Sequence, residues 1–253
     1  MKRDMLIDIL TIFPGMFSGF LDESLIQRAK EKKLVQIRIH NIRDYAEDKH
    51  KTVDDAPFGG GGGMVMMIEP LHLALESLTK QVEDESSSSI ILTTPQGVRF
   101  SQKKAFELSL KDHLIIICGH YKGVDERLKM LYPVEEISIG DYVLTGGEIP
   151  SLVIIDSVVR LLPGVLGDFE SAQSDSFYED ILGPPQYTRP AEFKGLKVPE
   201  ILLSGDHEKV KMWRKKEALK KTLQTRPDLL NLENVTEEER EWIEEDDQDK
   251  EEG

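Results

Sequence analysis

The 253-residue chain holds a single cysteine, Cys118, which excludes an internal disulfide and a multi-cysteine zinc site and fits a reducing cytosol. No apolar run approaches the roughly 20 residues that a membrane span requires. The opening residues, Met1-Lys2-Arg3-Asp4-Met5, run straight into a strand-like segment and lack the layout of a signal peptide. The protein is therefore expected in the cytoplasm, without a membrane partner. None of the six histidines shows metal-ligand spacing, so no metal-binding residues are expected. The glycine run Gly59–Gly63 is not followed by the Gly-Lys-Ser/Thr of a P-loop, and Met64 stands where a dinucleotide fingerprint needs its last glycine. Positive charge is also scarce. The net charge is −15, which taken whole argues against a nucleic-acid partner. Residues 233–253, however, hold 12 acidic and two basic side chains, leaving only −5 for the rest of the chain. The acidic end is expected to be solvated and disordered, and local basic patches on the body can still decide what it binds.

What the sequence does contain is an alternation of strand and helix patterns. Met5–Phe13 is β-rich and apolar; Leu21, Leu25, Ile26 and Ala29 then recur at helical spacing. Val35–His40 alternates as a half-buried strand does. Pro70 stands at a first helical position before Leu71, Leu75 and Leu78. Ser86–Ser89 reads as a surface linker. Ile90–Thr93 and Leu114–Cys118 read as strands, with Ser101 capping a helix to about Leu110 between them. A short helix from Asp125, a strand at Glu135–Ile139 and a helix at Ile149–Leu162 follow. This order predicts an α/β fold with a mostly parallel sheet flanked by helices. Beyond Gly164 the texture turns polar and then helical, from Ser204 to about Leu223, and ends in a Thr236…Glu239 capping box. The expected domains are 1–164 (α/β), a flexible linker 165–176, a small helical domain 177–243 and an acidic tail 244–253.

Three strand exits carry glycine: Pro95-Gln96-Gly97, Cys118–Gly123 and Ile137–Pro150. Either these are ordinary turns, or they gather at one sheet edge where main-chain groups hold a small ligand. Lys49, His50 and Lys51 form a basic cluster before the glycine run, either meeting phosphates or simply solvated. Ser204–Lys221 carries seven Lys and Arg residues around a buried stripe expected at Val210, Trp213 and Ala218. So dense a basic helix in an acidic chain favours phosphate contact. Cys118 reads as a small buried hydrophobe, Asp175 as a loop acid, and Arg160 as a charge inside an apolar helix that needs a partner or a ligand anion.

The ordered set of Leu10–Pro14, Arg43–Tyr45, Asp48–Asp55, Gly59–Met64, Pro95–Gly97, Cys118–Arg127, Ile139–Glu148, Asp156–Leu166, Asp175–Phe177, Pro185–Pro190 and Leu203–His207 resembles the bacterial tRNA (guanine-N1)-methyltransferases acting at position 37, the TrmD family of the SPOUT class. The resemblance implies a deep trefoil knot, which general folding rules would argue against. It implies S-adenosylmethionine bound in a bent shape at the interface of a homodimer, with Mg²⁺ a further candidate ion. Carried over by position, the cofactor contacts are Thr93, Thr94, Pro95, Gly119, Tyr121, Gly123, Ile139, Gly140, Tyr142, Leu144, Gly146 and Gly147. Asp175 is implied as the general base on guanine N1, and Arg160 as the cation facing O6. Lys49, His50, Arg189, Lys209, Arg214 and Lys215 are the expected tRNA contacts.

Two positions depart from the family. Lys122 stands where most relatives carry glutamate near the cofactor ribose, and Gly183 where most have aspartate near the target guanine. The expectations are modestly weaker cofactor binding and Asp175 acting as the sole base. Two alternatives are another knotted methyltransferase, acting on ribosomal RNA or a ribose hydroxyl, and a non-catalytic RNA-binding relative. The Asp175-Ser176-Phe177 element counts against the first, and the retained Asp175, Arg160 and glycine set against the second.

Overall fold

A computed structural model describes residues 4–81, 84–166, 175–177, 180–230, 236–237 and 239–242. The chain divides into two compact units, Met1–Gly167 and Asp168–Gly253. The linker expected at 165–176 and the tail at 244–253 fall largely outside the described residues.

The first unit is built on β1 (Met5–Thr11), β2 (Val35–Asn41), β5 (Ser88–Arg99), β6 (His113–Cys118) and β7 (Val134–Ser138), in the order β2-β1-β6-β5-β7. Every pairing in this sheet is parallel. The central β6 is buried throughout, and its residues alternate between two cores: Leu114, Ile116 and Cys118 face one, Ile115 and Ile117 the other. A strand covered on both faces must be apolar at every position, which is why it reads as an unbroken run. One face packs on α1 (Ser24–Glu31), α3 (Gln102–Ser109) and α5 (Glu148–Val159). The other packs on α2 (Ile68–Thr79) and α4 (Arg127–Leu131). A two-residue ribbon, β3 (Asp54–Asp55) with β4 (Val65–Met66), brackets the glycine run.

Several boundaries differ from the expected ones. Ser88 and Ser89 are not linker; they pair with His113 and Leu114 as the start of β5, and the Ser89 hydroxyl donates to Glu135. Nor does β5 end at Thr93. Thr93 and Val98 both pair with Ile137, so Thr94–Gly97 loops out as an excursion within the strand. Pro95 is tolerated there because the looped-out residues owe no ladder hydrogen bond. Helix α2 starts at Ile68, which puts Pro70 third, still among the positions whose N–H has no intrahelical partner. Helix α5 ends at Val159, so Arg160 closes the helix rather than lying within it, where a cation suits the carboxyl-end dipole.

In the second unit a hairpin of β8 (Glu192–Phe193) and β9 (Leu196–Lys197) precedes α6 (His207–Thr225). Asp206 caps α6 by accepting from the Lys209 N–H at 3.2 Å. The buried residues of α6 are Ala218, Leu219 and Thr222; Val210 and Trp213 are only half-buried, so the apolar stripe lies toward its C-terminal end. The capping box forms reciprocally, with Thr236 N–H donating to Glu239 at 2.8 Å and Glu239 N–H to the Thr236 hydroxyl at 3.3 Å. Among the described residues no helix is long and apolar enough to cross a membrane.

Candidate active site

The exits of β5, β6 and β7 converge on one cavity of about 240 Å³ at the carboxyl edge of the sheet. All twelve residues expected to touch the cofactor line it: Thr93, Thr94 and Pro95 from the β5 excursion, Gly119, Tyr121 and Gly123 after β6, and Ile139, Gly140, Tyr142, Leu144, Gly146 and Gly147 after β7. The exits therefore form a crevice and are not independent turns.

Gly147 is the point where the three exits meet. The Thr93 hydroxyl lies 3.2 Å from the carbonyl oxygens of both Ile117 and Gly147, and Gly147 N–H donates to Gly119 C=O at 2.8 Å. His120 and Gly146 form an antiparallel bridge beside it. The Gly147 backbone, at φ −84° and ψ −2°, is open to any residue, so its need for glycine is steric. A Cβ there would run into Thr93 Oγ1 and sit 2.6 Å from Gly119 N and 2.8 Å from Cys118 Cα. Main-chain atoms of β6 cannot step aside cheaply. We expect Gly147→Ala to cost about 1–3 kcal/mol of stability and to abolish ligand binding in the cavity. Calorimetric melting and a binding titration check both, and an unchanged Tm with intact binding would refute the steric account.

Below Gly147 the packing is dense and polar groups are satisfied. Ser151 Oγ donates to the Gly147 carbonyl at 2.7 Å and lies 3.2 Å from Cys118 Sγ. Burial pushes the Cys118 thiol well above its ordinary pKa, so it serves as packing and not as a nucleophile. Glu148, almost fully buried, accepts from the Thr11 hydroxyl at 2.8 Å, which fixes the start of α5 against β1. Gly140 sits at φ +154°, and its N–H donates to Ser138 Oγ at 3.2 Å. On the opposite wall Tyr121 adopts φ +58°, and burial followed by its hydrogen bond to Asp54 raises its hydroxyl pKa.

Sequence reasoning passed over two features. His120 lines the cavity between the rings of Phe13 (5.1 Å) and Tyr121 (4.9 Å), and its buried Nδ1 has no hydrogen-bond partner among the described residues. It stood inside the Cys118–Gly123 motif, where only the glycines drew notice. Asp8 is fully buried yet bound by Arg38, His40 and His113. The available signal was a lone acid inside the apolar run Met5–Phe13.

The other expected residues are distributed as follows. Arg160 is half-buried at the end of α5 in the first unit, and Asp175 is exposed in the second. Lys49 and His50 are exposed on the loop before the glycine run. Arg189, Lys209, Arg214 and Lys215 are exposed in the second unit, where Tyr187 packs its ring 6.3 Å from Trp213 of α6. Two of these cations have acidic neighbours: Lys209 pairs with Asp206, and Lys215 with Glu239. Among the described residues no three His, Cys, Asp or Glu side chains converge as metal ligands.

A glycine-walled crevice at the carboxyl edge of an all-parallel sheet is the usual ligand-binding position of an α/β protein. Comparison with known proteins narrows the class. Residues 5–232 match the family profile described as tRNA (Guanine-1)-methyltransferase TrmD, and the chain belongs to that family. It is 57% identical over 239 residues to a tRNA (guanine-N(1)-)-methyltransferase of Dictyoglomus turgidum, covering 94% of this chain and 95% of the relative. Relatives bearing the same name in Moorella thermoacetica and Geobacillus kaustophilus are 55% and 54% identical, each covering 95% of this chain and 96% and 98% of their own lengths. The fold is accordingly the SPOUT-type α/β fold, and the meeting of three strand exits at Gly147 fits the knotted crossing that the resemblance implies.

Proposed function

We propose that the protein transfers a methyl group from S-adenosylmethionine to N1 of guanine 37 in tRNA, beside the anticodon. The observation that carries this reading is the convergence of all twelve expected cofactor residues on one cavity in a chain of this family. The residues present fit the cofactor: a Cβ at Gly119, Gly146 or Gly147 would collide with the walls that shape the cavity, and the space they enclose is on the scale of a nucleoside. Bound there, S-adenosylmethionine supplies an electrophilic methyl group. Thr93–Pro95, Tyr121 and Ile139–Gly147 hold it and keep water from it.

Guanine N1 carries a proton at neutral pH and must lose it to become a nucleophile. Asp175 takes that proton, and Arg160 faces the negative charge that spreads to O6 as it leaves. Lys49 and His50 in the first unit, and Arg189, Lys209, Arg214 and Lys215 in the second, are the proposed contacts to the tRNA backbone. Labelled methyl transfer to tRNA transcripts with guanine or adenine at position 37 tests the reading. Transfer to the guanine transcript alone is expected; equal labelling of both, or of neither, would defeat it.

The active unit in this proposal is a homodimer. Helix α5 is apolar nearly all round: Ile154, Ile155, Val158 and Val159 are buried in the core, yet Ile149 and Val153, one turn apart on another face, are 49% and 40% exposed. Large apolar side chains exposed on this helix, with Asp156 as their exposed polar neighbour, call for cover. Tyr142, Val143 and Leu144, just ahead of it, are exposed as well. Val153→Asp is expected to shift the protein to monomers in light scattering and to weaken cofactor binding at the same time; a variant that stayed dimeric would count against this face.

A further inference from the structure

We propose that the Lys122 ammonium group is a contact for an RNA backbone phosphate at the mouth of the donor cavity, a role that rests on the tRNA reading above. Lys122 lines that cavity and is exposed, and among the described residues its ammonium group makes no hydrogen bond or ion pair. The contrast with the neighbouring Lys129 is informative. Lys129 lines the same cavity but is neutralised by Glu126 at 2.8 Å and Glu136 at 3.0 Å. One cation of the pair is internally satisfied, and the other is left facing outward.

Lys122 is also positioned rather than loose. Its N–H donates to Met64 C=O at 3.0 Å, which fastens it beside the end of the glycine run. Gly61 and Gly63, at φ +108° and +90°, lay their backbone along the lysine stem. A Cβ on Gly63 would lie 3.1 Å from Lys122 Cε, and one on Gly61 would lie 3.6 Å from Nζ. The bare glycine backbone thus gives the side chain a track out toward solvent. Any other residue at these two positions would be strained by φ alone and would crowd that track.

The direction of the track favours phosphate over the other oxyanion available, the carboxylate of the methionine donor. Lys122 N–H is bonded to Met64, Met66 pairs with Asp54 in the β3–β4 ribbon, and Arg43 donates to Lys51 C=O at 3.3 Å. This chain of contacts places the exposed Lys49–Lys51 loop beside the Tyr121–Lys122 corner. Lys122 therefore adds an outward-facing cation at the rim of the cavity to the exposed Lys49 and Lys51 of that loop, among the carboxylates of Asp48 and Asp54. A nucleotide whose base enters the cavity must bring its own phosphate past that rim. An ammonium there fixes the register of the strand without reading its sequence.

Salt dependence separates this contact from an effect of Lys122 on donor binding. Binding of the full-length chain to an unmodified tRNA transcript with guanine at position 37 is measured across a KCl titration, for the parent and for Lys122→Gln and Lys122→Arg. Donor affinity is measured calorimetrically without RNA. For Lys122→Gln the slope of log K against log salt should be shallower by about 0.7. The parent's advantage should therefore shrink about 2.6-fold between 50 and 200 mM salt. Lys122→Arg should keep the parental slope, and donor affinity should be unchanged in both variants. If the slope is unchanged and Lys122→Gln instead loses donor affinity, the carboxylate holds the lysine and the proposal is overturned. If the parent binds no tRNA, the reading of the whole molecule fails first and takes this one with it.

Discussion

Asp175→Asn is expected to lower the rate of methyl transfer by about 10²- to 10⁴-fold, the range lost with a positioned general base. Affinity for donor and for tRNA should hardly change. Asparagine keeps the shape and the hydrogen-bonding reach of the side chain but cannot accept a proton at neutral pH. The residues that follow Asp175 are tied by hydrogen bonds: Ser176 Oγ accepts from Gly183 N–H at 2.9 Å, and Phe177 N–H donates to Ile181 C=O at 2.7 Å. These bonds close the turn that follows Asp175. The departure at Gly183 thus has a structural counterpart, since its N–H donates to Ser176, the residue next to Asp175. A residual rate carried by solvent hydroxide should rise with pH in the variant, as N1 loses its proton unaided. Single-turnover rates measured from pH 6 to pH 9, roughly the span in which that rescue is visible, check the prediction. A variant with parental turnover, or one with no pH-dependent recovery, would remove Asp175 from the role of base.

Asp8→Ala should destabilise the protein by about 3–5 kcal/mol, the usual consequence of stripping one partner from a buried charge cluster. That corresponds to a fall in Tm of roughly 10 °C. Asp8 lies on β1 between β2 and β6, directly opposite Arg38 in the register. Arg38 donates to both carboxylate oxygens at 2.6 Å, while His40 Nε2 lies 2.6 Å from one of them and His113 Nε2 2.7 Å from the other. One side chain thereby ties three strands. Burial alone would raise the carboxyl pKa, but the hydrogen bonds from His113, His40 and Arg38, with the charge of Arg38, outweigh it and hold the group well below the usual carboxylate range. A carboxyl depressed on folding contributes stability that is fully present above its unfolded pKa of about 3.9 and is lost as pH falls toward the folded value. Unfolding free energy should therefore decline below about pH 5 in the parent. Asp8→Asn, less stable at neutral pH, should lose much of that decline. Urea unfolding at stepped pH distinguishes the two; parallel curves would mean that the cluster does not govern acid stability.

Much of the first unit could be read in advance because burial dictated composition. The strand His113–Cys118 is apolar at every position since both faces are covered, and Ser101 caps α3 through the Lys104 N–H as its type and place suggest. The crevice was legible through the glycines of the strand exits, because only glycine permits the close approaches at Gly119, Gly146 and Gly147, whereas the individual cofactor contacts expected there came from the family resemblance. The features missed depend on residues far apart in sequence. Pro95 and Gly97 looked like a strand end because an excursion that resumes pairing with the same partner, Ile137, has no local signature. Asp8 drew no notice in the sequence, since His113, one of its partners, lies 105 residues away. Strand order was equally hidden: periodicity indicates that β1 is buried, not that β6 lies beside it.

The Thr93 hydroxyl bridges carbonyl groups 24 and 54 residues away. No fragment spanning only one of those separations can assemble the pocket, and each contact waits on the closure of a long stretch of chain. The pocket is thus complete only when β5, β6 and the start of α5 are all in place. Nascent or partly unfolded molecules present no weak version of it, and a bound ligand weights the equilibrium toward the complete fold and nothing short of it.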